Sequence, residues 1–405
     1  MKPRTCVLTL LIALAIVTFL DRMCISVAGP QIQHDLHINS VHWGWILSAF
    51  VLAYGLFEIP SAALGDRTGH ETVLTRIVSW WSAFTALTGL CQSFNQLLIT
   101  RFLFGMGEAG AYPNIAGVIA RWFAAADRGR AQGWIWAASR LGGALSPILV
   151  VSLIHITGWR FTFLLFGIIG ILWVIIWRLC YRSVGSPHYN CGRHEIRWNL
   201  ILKNQQALLI FLAYACYAWG SWFFMSWFPT YLVQGAGFTE TQMGIFSSLP
   251  FLFGIGGNLL GGLFTDRLSI RYGLTIGRKL VICASLTTSA FLILGMSLTG
   301  NREGIVVLSS LGFGIMDFML PAAWALCLDI GAEYSGALSG VMNTGGQLGG
   351  VLCTLMVGYI LHITGTYRAP LCTIAAMVLL SALLFSRVDP TRTLTAGKAH
   401  IYQAT

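Results

Sequence analysis

Charge is scarce in this 405-residue sequence. Asp, Glu, Lys and Arg make up 10% of the chain, whereas hydrophobic residues make up 56%. Soluble domains contain about 25% charged residues, so water cannot be the main solvent of this chain. The net charge of +10 would favour nucleic-acid binding in a soluble protein. Here the basic residues cluster in short loops between apolar segments, so we expect a membrane protein with no nucleic-acid partner.

Motifs of catalysis and metal binding are also missing. The sequence contains no H-E-x-x-H, no nucleophile elbow and no phosphate-binding loop. Its ten cysteines form no C-x-x-C pair, and most lie inside apolar runs, as small hydrophobic side chains do. No segment is long and polar enough to form a soluble output domain. These absences argue against an enzyme, a sensor and a metal site.

The amino-terminal segment allows two interpretations. Lys2 and Arg4 precede an apolar run from Cys6 to Leu20, which is also typical of a secretion signal. Apolar sequence resumes after Asp21 and Arg22, however, and removal of this segment would leave an odd number of helices. The sequence therefore predicts a retained first helix.

Twelve apolar segments of about 20 residues, the length that crosses a bilayer, follow one another along the chain. One long polar stretch, 183–203, separates six of them from the other six. We predict an all-α membrane protein with 12 transmembrane helices in two pseudo-symmetric six-helix bundles. The bundles would span 1–182 and 204–387, with a cytoplasmic linker at 183–203 and a cytoplasmic tail at 388–405. The predicted helices lie near 6–30, 42–64, 73–92, 96–120, 131–155, 160–181, 205–233, 240–264, 279–299, 304–328, 334–362 and 367–386.

The distribution of Lys and Arg predicts the orientation. With both termini in the cytoplasm, 19 of the 25 basic residues lie inside and three lie outside. No N-x-[ST] site occurs, which favours a bacterial origin and hence the bacterial inner membrane. The remaining three basic residues fall within the membrane: Arg22, Arg101 and Arg140.

A short internal repeat supports two related halves. Leu64-Gly65-Asp66-Arg67 follows the second helix, and Phe264-Thr265-Asp266-Arg267 follows the eighth. The dipeptide D-R is common in inner loops, but here its position, the helix count and the following basic residues all agree. Parallel six-helix repeats around a midplane cavity form a transporter architecture, whereas a channel would not need them.

Several motifs carry a family resemblance over nearly the whole chain. They are F-L-D-R in the first helix (Phe19 to Arg22), Y-G-x-F-E-I-P-S through G-D-R-x-G (Tyr54 to Gly69), R-F-L-F-G-M-G-E-A-G-A-Y-P-N (Arg101 to Asn114), W-F-P-T-Y-L (Trp227 to Leu232) and G-x-x-N-x-x-G-x-x-G-G (Gly340 to Gly350). The chain thereby resembles the major facilitator superfamily and, within it, the anion:cation symporter family. That family includes bacterial hexuronate and galactonate transporters and sialin-like organic-anion carriers.

The chain departs from the superfamily pattern after the second helix. Basic residues usually follow D-R-x-G there and latch the two halves together, but here His70 and Glu71 follow Gly69. The resemblance implies gating roles for Asp66, Arg67, Asp266 and Arg267, with a latch that we expect to be weaker or rewired.

Arg101 and Glu108 lie at membrane depth, where a charge costs about 2.5–3.5 kcal/mol and is usually functional. They are seven residues apart, so they share one helix face at a distance of roughly 10 Å. The resemblance implies that Glu108 takes part in proton coupling. The alternative is a permanent Arg101–Glu108 brace.

Asp21 and Arg22 are adjacent, about 100° apart around the helix, so they cannot face the same way. In one arrangement Arg22 faces the cavity and binds a carboxylate with its planar fork. Asp21 then turns toward Arg101 and loses that partner when protonated. The resemblance implies such a coupling role for Asp21, and the alternative is a structural Asp21–Arg101 pair.

Other residues complete a predicted substrate site. Arg140 is either a second cation for the substrate or a neutralising partner of Asp21 or Glu108. Asp317 either binds a sugar hydroxyl or pairs locally. Asn343 can both donate and accept hydrogen bonds, as hydroxyl recognition requires. The remaining lining residues are Tyr54, Trp324 and Gln347.

The leading hypothesis is a proton-coupled symporter that imports a small organic anion, a sugar acid such as a uronate, aldonate or aldarate, by alternating access. It needs a bilayer but no cofactor besides protons, and we expect a monomer. The alternative is an efflux carrier of the same superfamily. Exporters commonly carry G-x-x-x-G-P-x-x-G in the fifth helix, and this chain reads G-G-A-L-S-P-I-L-V there, without the glycine after Pro147.

Overall fold

The computed structural model describes residues 3–123, 125–184, 198–331, 334–392 and 394. The described part is helical, with no β-strand, and contains the twelve predicted membrane helices. In order they are Pro3–Val27, Ser40–Thr68, His70–Thr88, Phe94–Glu108 with Ala111–Trp122, two helices within Ala125–Val184, Gln205–Ser226, Glu240–Tyr272, Leu274–Leu298, Arg302–Asp317 with Leu320–Gly331, Ser335–Thr364 and Arg368–Arg387.

Shorter helices adjoin the first and the seventh of these. Gly29–Asp35 follows the first membrane helix, and Trp198–Leu202 precedes the seventh. Phe228–Thr230 and a π-helical turn, Tyr231–Gly235, extend the seventh. By length and composition, nine described segments could cross a membrane, and one of them, Gly133–Tyr181, contains both the fifth and the sixth helix. Length and composition therefore agree with a chain that crosses the membrane many times.

Polar side chains cap the starts of several membrane helices. Asn39 accepts a hydrogen bond from the His42 amide at 2.8 Å before the second helix. Ser93 and Asn301 accept amide hydrogen bonds in the same way at the starts of the fourth and tenth helices. Such caps satisfy amides that have no partner inside the helix.

The fourth and tenth helices are each broken where one continuous helix was predicted. The first piece of the fourth ends at Glu108, and the second begins at Ala111. Gly110 takes a left-handed conformation, with φ of 82°, and a Cβ there would lie 2.6 Å from Ser61. Glycine has no Cβ atom and adopts a left-handed conformation without steric strain, so Gly110 determines where the helix breaks. The prediction missed both breaks because apolar sequence runs through them.

One compact unit contains the first six helices together with segments Phe224–Leu252 and Thr354–Thr366. In it the first helix packs mainly on the fifth and sixth, and the second packs on the fourth. The Trp227 indole joins the two added segments by donating a hydrogen bond to the Thr354 carbonyl at 3.1 Å. Glu240 accepts a hydrogen bond from Gln31 at 2.7 Å and lies 3.8 Å from His155.

The second compact unit contains the seventh helix up to Phe223, then Phe253–Cys353, and the twelfth helix. Its ninth helix packs on the tenth and the twelfth. Ser381 donates a hydrogen bond to the Ala213 carbonyl at 2.7 Å, which joins the twelfth helix to the seventh. The predicted division into bundles 1–182 and 204–387 stays a prediction. Most of the linker 183–203 and of the tail 388–405 lies outside the described residues.

Candidate functional site

An ion pair between Arg22 and Glu108 forms the centre of the site. Arg22 Nε donates to Glu108 Oε1 at 3.0 Å, and Nη2 donates to the same oxygen at 2.5 Å. The Glu108 side chain is 1% exposed and that of Arg22 is 11% exposed. The pair joins the carboxyl-terminal part of the first membrane helix to the break in the fourth. Because the break ends the helix at Glu108, the carboxylate lies where two helix pieces meet.

Aromatic rings surround the Arg22 guanidinium. Its Cζ atom lies 4.9 Å from the centroid of the Tyr54 ring and 5.5 Å from the centroids of Phe19 and Phe50. Rings attract a cation through their faces while excluding water around it. Phe50 also lies 5.4 Å from Arg101, so one ring serves both guanidiniums. The rings therefore enclose Arg22 on the sides that Glu108 does not occupy.

Asp21 and Arg101 form a second, deeper pair. Both side chains are 1% exposed, and they interact electrostatically. Neither carboxylate oxygen of Asp21 and neither terminal nitrogen of Arg101 has a hydrogen-bond partner within the protein. The Arg101 Cζ atom lies 4.2 Å from the Phe104 ring centroid. The two groups are in electrostatic range but not hydrogen-bonded, and the turn of Asp21 toward Arg101 stays a prediction.

The two pairs together balance charge. With both acids ionised, two carboxylates face two guanidiniums in a region that water barely reaches. Glu108 interacts electrostatically with Arg101 as well as with Arg22, but its hydrogen bonds go to Arg22. The expected alternative of a direct Arg101–Glu108 brace is therefore not the arrangement seen. Protonation of either acid leaves one guanidinium uncompensated, and such a site attracts an anion.

Tyr112 is a site residue that the sequence analysis missed. It follows the break in the fourth helix and stacks on Trp136, with ring centroids 5.1 Å apart and planes at 3°. Its hydroxyl forms a hydrogen bond with Ser139 at 2.8 Å. Tyr112 interacts electrostatically with Arg22, Glu108 and Arg140. It therefore connects the ion pair to half-buried Arg140, which stays a predicted substrate contact.

The predicted residues of the second half are placed as follows. Asp317 is 0% exposed and accepts a hydrogen bond from the Tyr217 hydroxyl at 3.1 Å. Trp324 is 36% exposed, and Asn343 and Gln347 are half-buried. Tyr54, in the first half, is buried against Arg22. The substrate contacts of all these side chains stay predictions.

The predicted gating residues differ in their contacts. Asp266 lies 3.5 Å from Arg278, which also binds Asp329 at 3.0 Å. Arg67 and Arg267 are exposed, and the side chain of Asp66 lies outside the described residues. Arg278 lies near the start of the ninth helix and was not predicted as a gating residue. Its position shortly after the second D-R dipeptide could have indicated that it binds Asp266.

The first-half loop is rewired where the sequence departs from the superfamily pattern. Glu71 forms an ion pair with Arg121 of the fourth helix at 3.1 Å. His70 lies 3.0 Å from the Asn114 side-chain oxygen. The acid that replaces the usual basic residue therefore pairs with a cation on its own unit. Among the residues that the structure describes, no group of three His, Cys, Asp or Glu side chains could hold a metal ion.

A multi-pass helical chain with buried acid–guanidinium pairs at membrane depth is a membrane transporter, not an enzyme. Comparison with known proteins agrees. The family model "Major Facilitator Superfamily" matches residues 11–354, and the chain belongs to this superfamily. The resemblance noted in the sequence is thereby confirmed.

The chain is similar to several named transporters and to a solved structure. The chain is 29% identical to a probable sulfoacetate transporter, SauU, of Cupriavidus necator, over 96% of this chain and 94% of the relative. It is 30% identical to a probable galactarate/D-glucarate transporter, GudP, of Bacillus subtilis, over 91% and 88%. It is 27% identical to the hexuronate transporter of B. subtilis, over 95% and 94%. A bacterial homologue of the human lysosomal transporter Spinster shares the fold, with a TM-score of 0.82, 18% identity and coverage of 96% and 98%.

Proposed function

We propose that this protein is a proton-coupled symporter that imports a small organic anion, a sugar acid, by alternating access. The observation that carries the proposal is the Arg22–Glu108 pair, in which the cation suited to a carboxylate is bound to an acid that can take up a proton. The names of the relatives, which include galactarate/D-glucarate and hexuronate transporters, support an organic-anion substrate.

The coupling follows from competition for one guanidinium. While Glu108 is ionised, its oxygen occupies the fork of Arg22, and an incoming carboxylate gains little. A proton on Glu108 removes that competitor, so Arg22 can bind the anion with two parallel hydrogen bonds. By linkage, anion binding and proton binding then favour one another by the same factor. Proton and anion would therefore load together and leave together.

Asp21 and Arg101 act by the same competition between an acid and the anion for a guanidinium. Arg101 is buried beside Asp21 with its terminal nitrogens unbonded within the protein, so a change in the charge of Asp21 acts directly on it. Tyr54 and Arg140 complete the anion site of the first half, and Asp317, Trp324, Asn343 and Gln347 contribute from the second half. Asp66, Arg67, Asp266 and Arg267 act in gating. We place the protein in the bacterial inner membrane as a monomer, with both termini cytoplasmic and protons as the only coupling ion.

Ligand screening tests the substrate class. Purified protein in detergent is heated with D-glucarate, galactarate, L-galactonate, D-glucuronate and sulfoacetate, and in parallel with lipophilic drugs. Neutral sugars of equal length serve as controls. A ligand at 100 times its Kd stabilises the folded state by about 2.7 kcal/mol. We expect at least one sugar acid, and no neutral sugar, to raise the unfolding temperature. A shift with sulfoacetate alone would move the substrate to short sulfonates, and a shift with lipophilic drugs alone would favour an efflux carrier.

A further inference from the structure

The fifth helix carries two exposed tryptophans on opposite faces. Trp134 and Trp136 are two residues apart, which is about 200° around a helix. Arg140 follows Trp136 by four residues, about 40° around the helix, so Trp136 and Arg140 share a face that Trp134 does not. The exposed fractions of Trp134 and Trp136 are similar, at 57% and 46%. The helix face, and not the degree of exposure, therefore distinguishes the two indoles.

The face that carries Trp136 packs against the eighth helix in its carboxyl-terminal part. Gly143 and Pro147 lie seven and eleven residues after Trp136, so they continue its face. A Cβ atom on Gly143 would lie 3.4 Å from the Phe251 side chain, and a Cβ atom on Gly244 would lie 3.2 Å from the Pro147 carbonyl oxygen. Both helix segments belong to the first compact unit. The face of Trp136 is therefore directed at protein.

The face that carries Trp134 is directed elsewhere. Leu141, Leu145 and Ile148 lie seven, eleven and fourteen residues after Trp134, and all three are exposed. A continuous stripe of large, exposed apolar side chains marks a surface that contacts a membrane or a partner. Trp134 therefore belongs to the apolar surface of the fifth helix, whereas Trp136 belongs to its packed face.

Trp136 extends the aromatic surface that begins at Arg22. The Tyr112 side chain interacts electrostatically with Arg22 and Arg140. Its ring stacks on Trp136, with centroids 5.1 Å apart and planes at 3°, and its hydroxyl is fixed by Ser139 at 2.8 Å. Arg140 lies one helical turn from Trp136, about 6 Å along the helix axis. The indole is therefore held in one orientation close to the guanidiniums of the anion site.

We propose that Trp136 is a substrate-binding residue whose exposed ring surface contacts the carbon chain of a sugar acid. The face of an aromatic ring is negative, and the carbon-bound hydrogens of a sugar acid are polarised positively by the neighbouring oxygens. An aromatic surface beside a few well-placed polar groups is the usual lining of a small-molecule site.

This contact selects the length of the anion. The chain of a six-carbon sugar acid extends past the guanidinium that binds its carboxylate and reaches an indole one turn away. A two-carbon anion such as sulfoacetate stays beside the guanidinium. The inference rests on the proposed transport of an organic anion, and it names the residue that favours a long chain over a short one.

Titration calorimetry with D-glucarate and with sulfoacetate tests this selection. We expect Trp136→Ala to lower the affinity for D-glucarate by roughly 4- to 15-fold, which corresponds to the lost apolar contact of one or two carbon atoms. Sulfoacetate binding should not weaken, and Trp136→Phe should lose less D-glucarate affinity than Trp136→Ala. Trp134→Ala is the matched control and should bind both anions as the wild-type protein does. An equal loss for both anions, or no loss for D-glucarate, would overturn the role of Trp136 and leave the proposed transport intact.

Thiol labelling tests the placement of Trp136 independently of affinity. Trp136→Cys and Trp134→Cys, in full-length protein in lipid nanodiscs, are treated with a negatively charged methanethiosulfonate, which reacts with thiols that water reaches. The wild-type protein, with its ten cysteines, gives the background in intact-mass spectra. We expect Trp136→Cys to gain a label that D-glucarate slows, and Trp134→Cys to gain none.

The outcomes separate this inference from the proposed function. Labelling of Trp134→Cys without labelling of Trp136→Cys would place Trp136 outside the anion site and overturn its role. Labelling of Trp136→Cys that D-glucarate does not slow, in a protein that binds D-glucarate, would overturn it as well. A wild-type protein that binds no sugar acid would instead contradict the proposed function itself.

Discussion

Arg22 and Glu108 are bound through a single carboxylate oxygen: Arg22 Nε and Nη2 both donate to Oε1. The other oxygen, Oε2, is buried without a hydrogen-bond partner in the protein. An ion pair built only for stability would use both oxygens, since two parallel hydrogen bonds are the stronger arrangement. The one-sided pair leaves Oε2 available to a proton, which is the property that a coupling acid needs.

The first prediction concerns the fork of Arg22. Arg22→Ala and Arg22→Lys should both lose measurable binding of the anion that stabilises the wild-type protein most. Loss of one partner of a buried charge pair costs about 2–5 kcal/mol, and Lys keeps the charge but not the planar fork. Titration calorimetry measures the affinity. Arg387→Lys, at the exposed end of the twelfth helix, is the matched control.

Arg140→Ala should weaken binding less than either Arg22 variant. The reverse ranking would exchange the roles of the two cations. Near-normal affinity in Arg22→Lys would count against recognition through two parallel hydrogen bonds.

The second prediction separates exchange from accumulation. Glu108→Gln resembles the protonated acid, so the variant should bind the anion and exchange labelled for unlabelled anion across proteoliposomes. It should fail to accumulate the anion against its gradient, because this step no longer carries a proton. Glu303→Gln, at an exposed position in the first turn of the tenth helix, should behave as wild type. Uphill, proton-driven uptake by Glu108→Gln would show that Glu108 takes no part in coupling.

Asp21→Asn should also fail to accumulate the anion fully, but with some residual uptake.

The twelve helices could be predicted from the sequence because apolar length reports directly on the bilayer, whereas their inner and outer ends stay a prediction. The sequence also identified Asp21, Arg22, Arg101 and Glu108, since charge at membrane depth is rare. It did not predict that Glu108 binds Arg22, because Asp21 and Arg22 are adjacent and the sequence does not show which neighbouring helix each of them faces. Pairing depends on helix rotation, which only packing fixes.

The breaks at Glu108 and Asp317 show the same limit. The apolar pattern continues across both of them, and the signal is local. In the fourth helix this local signal is Gly110, which adopts a left-handed backbone conformation. A hydropathy pattern does not report on backbone conformation. Tyr112 was missed for a related reason: the break reorients the residues that follow it and brings the Tyr112 hydroxyl to Ser139.

The third prediction concerns Tyr112. Tyr112→Phe should weaken anion binding by roughly 2- to 12-fold, the equivalent of about 0.5–1.5 kcal/mol for one hydrogen bond. Ser139 keeps its own hydrogen bond to the Ile135 carbonyl at 2.9 Å, so the fold should not lose stability. Calorimetry and thermal unfolding measure the two effects, with Tyr272→Phe as the control. Unchanged affinity in Tyr112→Phe would show that this hydroxyl has no part in the site.

The fourth prediction tests the break in the fourth helix. Gly110→Ala should lower the free energy of unfolding by about 1–3 kcal/mol, the cost of a strained left-handed residue, and the new methyl group would press on Ser61. Gly256→Ala is the control, because nothing lies within 4 Å of a Cβ at that helical position. Thermal unfolding in detergent compares them. A Gly110→Ala protein as stable as Gly256→Ala would mean that the break does not need glycine.

The central claim is that protons, and not sodium ions, drive uptake. The described site consists of acids next to guanidiniums, an arrangement suited to binding protons. The most direct measurement is uptake of the labelled anion into proteoliposomes with an inward proton gradient, in sodium-free buffer, with and without a protonophore. We predict uptake above the equilibrium level that collapses when the protonophore is added. Uptake that requires sodium and is unaffected by the protonophore would contradict the account.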